Sequence, residues 1–317
     1  MTLKELVADI RAYEGLTRKK GIGALISRLQ EVTNFGTTFV GPGDDAAAIQ
    51  EDGSFLLLAA DGIWKRMLEQ DPYAAGRASV IVNVNDIVAT GGKPIAMVNV
   101  IASPKDYDLD ALLEGMSDAS ALYHVPMLGG HYHPEADTPE LSVAIVGRTR
   151  KLLTSHTAEV GHDIIVAMDL DGARGLSFVN SWDATGNKTT EQIWDRLGII
   201  IYMAEEDLCH TASDISNPGV LGSIAVMLSA SGKGAEITVE RIPRPSSVSL
   251  GDWLKMYPSY GFILCVDRRN RERCLALFEE KGITAKVIGL VTEGPEMVLH
   301  YEGVRETIFN FKTDILY

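Results

Sequence analysis

The apolar pattern of the chain is dominated by one long stretch, residues 71–92, reading DPYAAGRASVIVNVNDIVATGG. Asp71 before Pro72 is an N-cap followed by the preferred first helical residue. Gly91 and Gly92 stop the helix, and Pro94 bars a restart. Ala75, Ala78, Val82 and Ala89 recur at helical spacing. The run 80–84 alone could pass for a strand, but length and caps predict a helix of about six turns. Within it Asn83, Asn85 and Asp86 stand among Ile, Val and Ala. A buried carboxylate without a partner is costly. Asp86 is therefore expected to be paired, bound to a metal, or facing a wet cleft. A polar stripe satisfied by hydrogen bonds is the alternative.

The remaining pattern predicts helices over 3–13 and 23–32, with a glycine-punctuated basic loop, Gly15 to Gly21, between them. That loop, with Arg18, Lys19 and Lys20, is a candidate mobile arm for an anion. Strands are predicted at 55–60, 94–101 and 141–146, and a helix at 109–123. Residues 127–134, MLGGHYHP, read as a strand running into a glycine turn. The pattern shifts around 153–161, which predicts two domains, 1–152 and 153–317. In the second, 163–168, 260–266 and 285–290 read as strands. Residues 176–210 read as helical with a polar interruption at 182–188, and 220–229 and 271–281 as helices. Residues 241–249 are a Pro- and Ser-rich loop.

With 43 acids against 29 bases, the formal net charge is −14. That opposes nucleic-acid binding, which needs a basic footprint. The longest apolar runs are too short to span a bilayer, and the first 15 residues do not resemble a signal peptide. Membrane partners are not expected. Cys209, Cys265 and Cys274 lack metal spacing and read as reduced thiols of a cytoplasmic protein.

Residues 41–46, GPGDDA, mimic a dinucleotide fingerprint. Two carboxylates would then face a pyrophosphate and repel it. The conflict disappears if a divalent cation lies between acid and phosphate, as Mg²⁺ does. Asp61 closes an apolar strand, and Asp214 precedes a glycine turn and a helix start, where anions are favoured. There is no P-loop, since Ser231-Gly232-Lys233-Gly234 lacks its spacing, and no GxSxG or HExxH. His131 and His133 share a face if extended and could chelate a metal, or serve loop hydrogen bonds or phosphate contact. The dispersed acids Asp44, Asp45, Asp61, Asp86 and Asp214 suggest a carboxylate cradle for several Mg²⁺ ions and a nucleoside triphosphate.

In order along the chain, Gly43-Asp44-Asp45-Ala46-Ala47, Asp61, Asp71-Pro72-Tyr73, Asn85-Asp86, Gly91-Gly92-Lys93-Pro94, Gly129-Gly130-His131 and Asp214-Ile215-Ser216 resemble the aminoimidazole ribonucleotide (AIR) synthetase-like superfamily. Thiamine-monophosphate kinase and selenophosphate synthetase belong to it. Residues 216–219, 241–245 and 257–258 look most like an uncharacterised branch that includes methanogenesis-marker relatives. The resemblance implies a two-domain α/β fold. The N-terminal ATP-binding domain would pair with its twin to form a β-barrel across a homodimer, and the C-terminal half would be an α/β sandwich. It implies Asp45, Asp86 and Asp214 as Mg²⁺ ligands, and Asp44, Asp61, Asn85, Gly129, Gly130 and His131 as nucleotide contacts. Lys19 matches a mobile phosphate-binding lysine. The chain departs from selenophosphate synthetase in having no cysteine before Cys209, and from the thiamine-monophosphate kinase pattern at His131 and Asn217. The implied activity is ATP- and Mg²⁺-dependent phosphoryl transfer to a small molecule, by a kinase or synthetase. A nucleotide-binding dimer without turnover and a His131/His133 metallohydrolase are the alternatives. Trp64-Lys65-Arg66 is the candidate substrate loop.

Overall fold

The structure, a computed structural model, describes residues 1–175, 180–314 and 316, and every side chain among them except those at 20, 21, 24, 25, 27 and 30. Helix α1 (Leu3–Ala12) begins with a capping box in which Thr2 and Glu5 bond each other's amides. Its apolar side, Leu3, Leu6, Val7 and Ile10, joins the core of the C-terminal sheet. The basic stretch expected as a loop is wound up instead. Helix α2 (Glu14–Thr17) passes through a 3-10 turn, Arg18–Gly21, into α3 (Ile22–Leu29).

Strands β1 (Thr38–Val40), β2 (Ala47–Glu51), β3 (Ser54–Gly62), β4 (Lys93–Ser103), β5 (Met127–Pro134) and β6 (Glu140–Thr149) form one sheet in the order β1-β2-β3-β6-β4-β5. Only β4 and β5 run parallel. The expected glycine turn after residue 128 is absent. Gly129 takes a φ of +148° and the strand continues through His133, because β4 offers it a partner as far as Ser103. The sheet is open, with β1 and β5 as its edges.

One face of this sheet is covered by α4 (Lys65–Gln70), α5 (Pro72–Ala89) and α6 (Leu109–Tyr123). Asp71 caps α5 through the Ala74 amide at 2.9 Å, as its sequence predicts. Helix α5 is buried on all sides rather than along one stripe. It packs on the first sheet, crosses α6, and touches the second domain. The crossing is close because Gly76 and Gly115 carry no Cβ. Adding one would strike the Leu112 or the Tyr73 carbonyl.

The second sheet uses β7 (Asp163–Met168), β10 (Thr211–Asp214), β11 (Gly234–Thr238), β13 (Gly261–Val266), β14 (Thr284–Thr292), β15 (Glu296–Tyr301) and β16 (Val304–Asn310), in the order β10-β13-β7-β14-β11-β15-β16. Strands β8 (Ala173–Arg174), β9 (Ser181–Asp183) and β12 (Tyr257–Pro258) make a small sheet of their own. Helices α7 (Thr190–Glu205) and α10 (Arg271–Glu280) contribute to the apolar core shared with the first domain, and α8 (Gly219–Ala230) and α9 (Leu250–Trp253) to the core on the other side. The helix expected across 176–210 is confined to α7. Residues 176–179 lie outside the described residues, and 181–183 pair as β9. No helix among the described residues is long and apolar enough to cross a membrane. The three cysteines are free and buried.

Candidate active site

Three carboxylates from three distant elements meet beside α5. Asp45 comes from the loop before β2, Asp86 from α5, and Asp214 from the end of β10. One oxygen of each lies within 4.8 Å of the others. Asp45 is held by the Ser213 hydroxyl at 3.1 Å and the Asp214 amide at 3.0 Å. No described hydrogen-bond donor reaches the carboxylate of Asp86 or Asp214, although both residues are buried. The polar-stripe alternative for Asp86 therefore finds no support, because its side chain satisfies no neighbour.

Crowding explains the electrostatics. Burial, then Asp214 and Asp44, hold the Asp45 carboxyl well above the usual carboxylate range. Burial, then Asp61, Asp214 and Asp45, do the same to Asp86. Asp214 is pushed up to about 7, chiefly by burial and further by Asp61. The charge of Lys19 opposes these shifts at Asp61, Asp86 and Asp214. Helix α2, just before the 3-10 turn that carries Lys19, packs closely on residue 217, since a Cβ on Gly15 would run into the Asn217 carbonyl.

The donor set is all carboxylate oxygen, which suits a hard cation such as Mg²⁺ rather than zinc. Opposite oxygens around octahedral Mg²⁺ are about 4.2 Å apart, from bonds of about 2.1 Å. Three oxygens on one such ion include neighbours about 3.0 Å apart, so the aspartates would draw together on binding it.

The other expected residues separate. Asp44 is not in the triad. Its carboxylate accepts from the Ser155 amide at 2.9 Å, the Ser155 hydroxyl at 2.8 Å and the Asp45 amide at 3.0 Å, with His156 Nε2 at 3.8 Å. It ties the loop that carries Asp45 to Ser155 and His156. Asp61 faces a cleft between the domains, whose walls crowd it enough to raise its carboxyl. Asn85 is buried, and its Nδ2 donates to the Ser259 carbonyl at 3.1 Å across the domain boundary. Its Oδ1 is buried with no hydrogen-bond partner among the described residues, and Asn85 is one of the residues lining the same cleft.

The cleft has a volume of about 480 Å³. Trp64, Tyr73 and Tyr257 supply aromatic walls, and Asp61, Asn85 and Asp214 mark the end nearest the triad. Of the candidate substrate loop only Trp64 lines it. The Arg18 guanidinium lies 4.3 Å from the Trp64 ring, Lys65 pairs with Glu69, and Arg66 is exposed. Gly129, Gly130 and His131 lie exposed on the edge strand β5 and do not line the cleft. His131 and His133 stack edge-to-face at 4.4 Å. Among the described residues no third ligand joins them, so the metallohydrolase reading gains no support.

Sequence reasoning missed Ser155, Ser213 and Ser259, which position Asp44, Asp45 and Asn85. It also missed the cation pair Lys188 and Arg196, which flank buried Asp169 at 3.4 and 3.3 Å. Each contact joins positions far apart in the chain or lies in a run without period, so no local pattern carries it.

Comparison with known proteins places these features. Residues 43–149 match the AIR synthase related protein, N-terminal domain, and residues 159–302 its C-terminal domain. An uncharacterised protein of Methanocaldococcus jannaschii is 38% identical over 100% of this chain and 99% of its own length. One from Synechocystis is 34% identical over 94% of this chain and 92% of its own. The thiamine-monophosphate kinase of Pyrococcus abyssi is 29% identical over 80% of this chain and 83% of its own. Among solved structures, Thermotoga maritima PurL complexed with ATP aligns at a TM-score of 0.72 and 18% identity, over 84% of this chain. The chain spans 46% of that protein's length. The structure of AaThiL complexed with AMPPCP and TMP aligns at a TM-score of 0.68 and 18% identity over 91% of this chain and 95% of its own.

Proposed function

The chain belongs to the AIR synthase related family, whose members include ATP-using kinases and synthetases, and we propose that it is a Mg²⁺-dependent enzyme transferring the γ-phosphoryl group of ATP to a small molecule. The observation that carries this reading is the pair of buried carboxylates, Asp86 and Asp214, that face Asp45 without a single described donor. Nature rarely leaves buried charge uncompensated unless a ligand completes it.

In this reading Asp45, Asp86 and Asp214 hold Mg²⁺. When bound, the ion neutralises phosphate oxygens and holds the γ-phosphoryl group in line. Lys19, whose charge already acts on Asp61, Asp86 and Asp214, would meet the same phosphates. Asp44 keeps the Asp45 loop in place through Ser155. The cleft takes the acceptor, between the aromatic walls of Trp64, Tyr73 and Tyr257 and the end marked by Asp61 and Asn85. The acceptor atom bonds to the γ-phosphorus as the β–γ bridging bond breaks. ADP leaves with the bridging oxygen, and the acceptor proton is released to the cleft. In a synthetase the phosphate then departs in a second displacement.

The proposal extends to assembly. The open face of the first sheet carries exposed Leu58, Val98 and Val100. Packing two such faces into a barrel across a homodimer would cover them.

The test is calorimetric titration with a non-hydrolysable ATP analogue, with Mg²⁺ and with EDTA, beside ADP release in a metabolite panel. Mg²⁺-dependent binding and acceptor-dependent ADP release are expected. Binding that ignores Mg²⁺ overturns the metal assignment. Tight Mg²⁺-dependent binding without turnover on any acceptor favours a nucleotide-binding partner instead.

A further inference from the structure

The second domain carries another concave site, which shares no lining residue with the interdomain cleft. Strands β14, β11 and β15 run past the N-terminal end of α10 and leave a basin of about 440 Å³, with Val287, Gly289 and Thr238 among its lining residues. Arg268 and Arg271 approach from the turn into α10, Arg241 from the turn after β11, and His300 from β15. The size is ordinary for a small-ligand pocket, which spans about 300–1,000 Å³.

The charges in this basin do not cancel. Asp163 is buried and already engaged. The Arg271 Nε donates to it at 2.6 Å, and the Arg268 Nε stands 3.7 Å away. Among the described residues nothing accepts a hydrogen bond from the Arg241 side chain, and nothing within hydrogen-bond distance accepts from Arg268. His300 Nε2 is buried without a hydrogen-bond partner, with the Glu236 carboxylate 3.8 Å away. Three guanidinium groups and an unpartnered ring nitrogen thus converge on one hollow, against two acids, in a chain of net charge −14. Guanidinium forks match phosphate oxygens in geometry and charge. A surface selected only for solubility in so acidic a chain would not gather its arginines here.

We infer that this basin is a second ligand site, taking a small molecule through a phosphate or diphosphate group. Arg241 supplies donors with no described acceptor, Arg268 a guanidinium whose described ion pair is the longer one to Asp163, at 3.7 Å, and His300 Nε2 a further contact. Arg271 is held by Asp163 and sets the wall.

Inorganic pyrophosphate is the probe, titrated by calorimetry in EDTA so that the aspartate triad cannot take it up through a metal. One saturable site is expected. The double variant Arg241→Ala/Arg268→Ala should weaken it by about tenfold or more, since two charged hydrogen-bonding groups are lost. Both side chains are at the surface, and a thermal melt beside the titration verifies that the variant is folded. His300→Ala gives a second, independent reduction. Lys19→Ala and Asp86→Asn should leave pyrophosphate binding unchanged. No saturable binding overturns the inference, as does binding that survives the arginine changes but falls in Lys19→Ala. Inorganic phosphate and ADP, run in parallel, separate recognition of the anion alone from recognition of a nucleotide. The outcome is independent of the proposed activity. The arginine variant should retain Mg²⁺-dependent binding of the ATP analogue, which Asp86→Asn should lose.

Discussion

Asp86 is the residue at which chemistry and stability pull in opposite directions. Its carboxylate is buried beside two others and receives no described hydrogen bond. Asp86→Asn keeps the shape and removes the charge. The apo protein should therefore be as stable as wild type or more so, because buried anions in a crowd repel. Affinity for the ATP analogue with Mg²⁺ should fall by at least about tenfold, or about 1.4 kcal/mol. Denaturant melts and calorimetry give both numbers; a destabilised variant with wild-type affinity would remove Asp86 from the site. The same crowding makes apo stability depend on pH. Asp214, raised to about 7, holds its proton better in the folded chain than in the unfolded one. Its contribution to stability is thus fully present below about 3.8, the ordinary value, and is lost as pH rises from there through about 7. The denaturation midpoint in EDTA should be lower at the upper end, and Asp214→Asn should flatten the decline. Excess Mg²⁺ should oppose it, since the ion binds the ionised form. Asp86 was legible in the sequence because a carboxylate in an apolar helical run has few places to go. The role of Ser213 was not, because a serine bonding an acid 168 positions away leaves no local mark.

At the scale of elements, the capped helices and long apolar strands could be read directly. Helices α5 and α6 and strand β7 follow their caps and apolar runs. The misses have physical causes. Strand β2 is short and partly polar, and its visible sign was the Asp52-Gly53 turn, both residues at positive φ. Strands β15 and β16 are joined by Glu302-Gly303, where a glutamate takes the left-handed position that Asn or Asp usually fills. Strand β9 is three residues long, too short to show a period. Glycines inside helices, equal in a propensity scale, divide by environment. Gly115 lies against the Tyr73 carbonyl, whereas Gly198 in α7 has open space where its Cβ would go. Gly115→Ala should push α6 off α5 and cost about 1–3 kcal/mol, the range for overpacking. Gly198→Ala should stabilise by up to about 1 kcal/mol through helix propensity alone. Thermal melts of the two variants check both signs. Equal effects would mean that the close crossing of α5 and α6 is not a constraint.

At the scale of the whole molecule, the first sheet is finished on only one side. Its inner face holds Leu57, Met97, Ile101 and Val143 under α5 and α6. Its outer face is apolar too. Leu58, Val98 and Val100 are each about half exposed, and Val98 and Val100 lie opposite Ala144 and Ser142 on β6. A strand that lines one core and otherwise faces water alternates apolar with polar residues. Strand β4, KPIAMVNVIAS, does not alternate, because both of its sides are apolar. That doubled pattern is visible in the sequence, but it cannot say whether a helix of the same chain or a second copy provides the cover. The fold narrows the choice, since α4, α5 and α6 all lie on the inner side and no described element packs over the outer one. A second copy presenting the same face would bury these side chains on both partners and would bring β1 and β5, the open edges, toward strands able to pair with them. The chain should therefore be a homodimer at micromolar concentration by light scattering. Replacing Val100 with Lys would place two ammonium groups inside that interface, near its symmetry mate, and should give a folded monomer with an unchanged aspartate triad. A wild-type chain that scatters as a monomer would leave the outer face without a partner and would break the link between this sheet and a barrel.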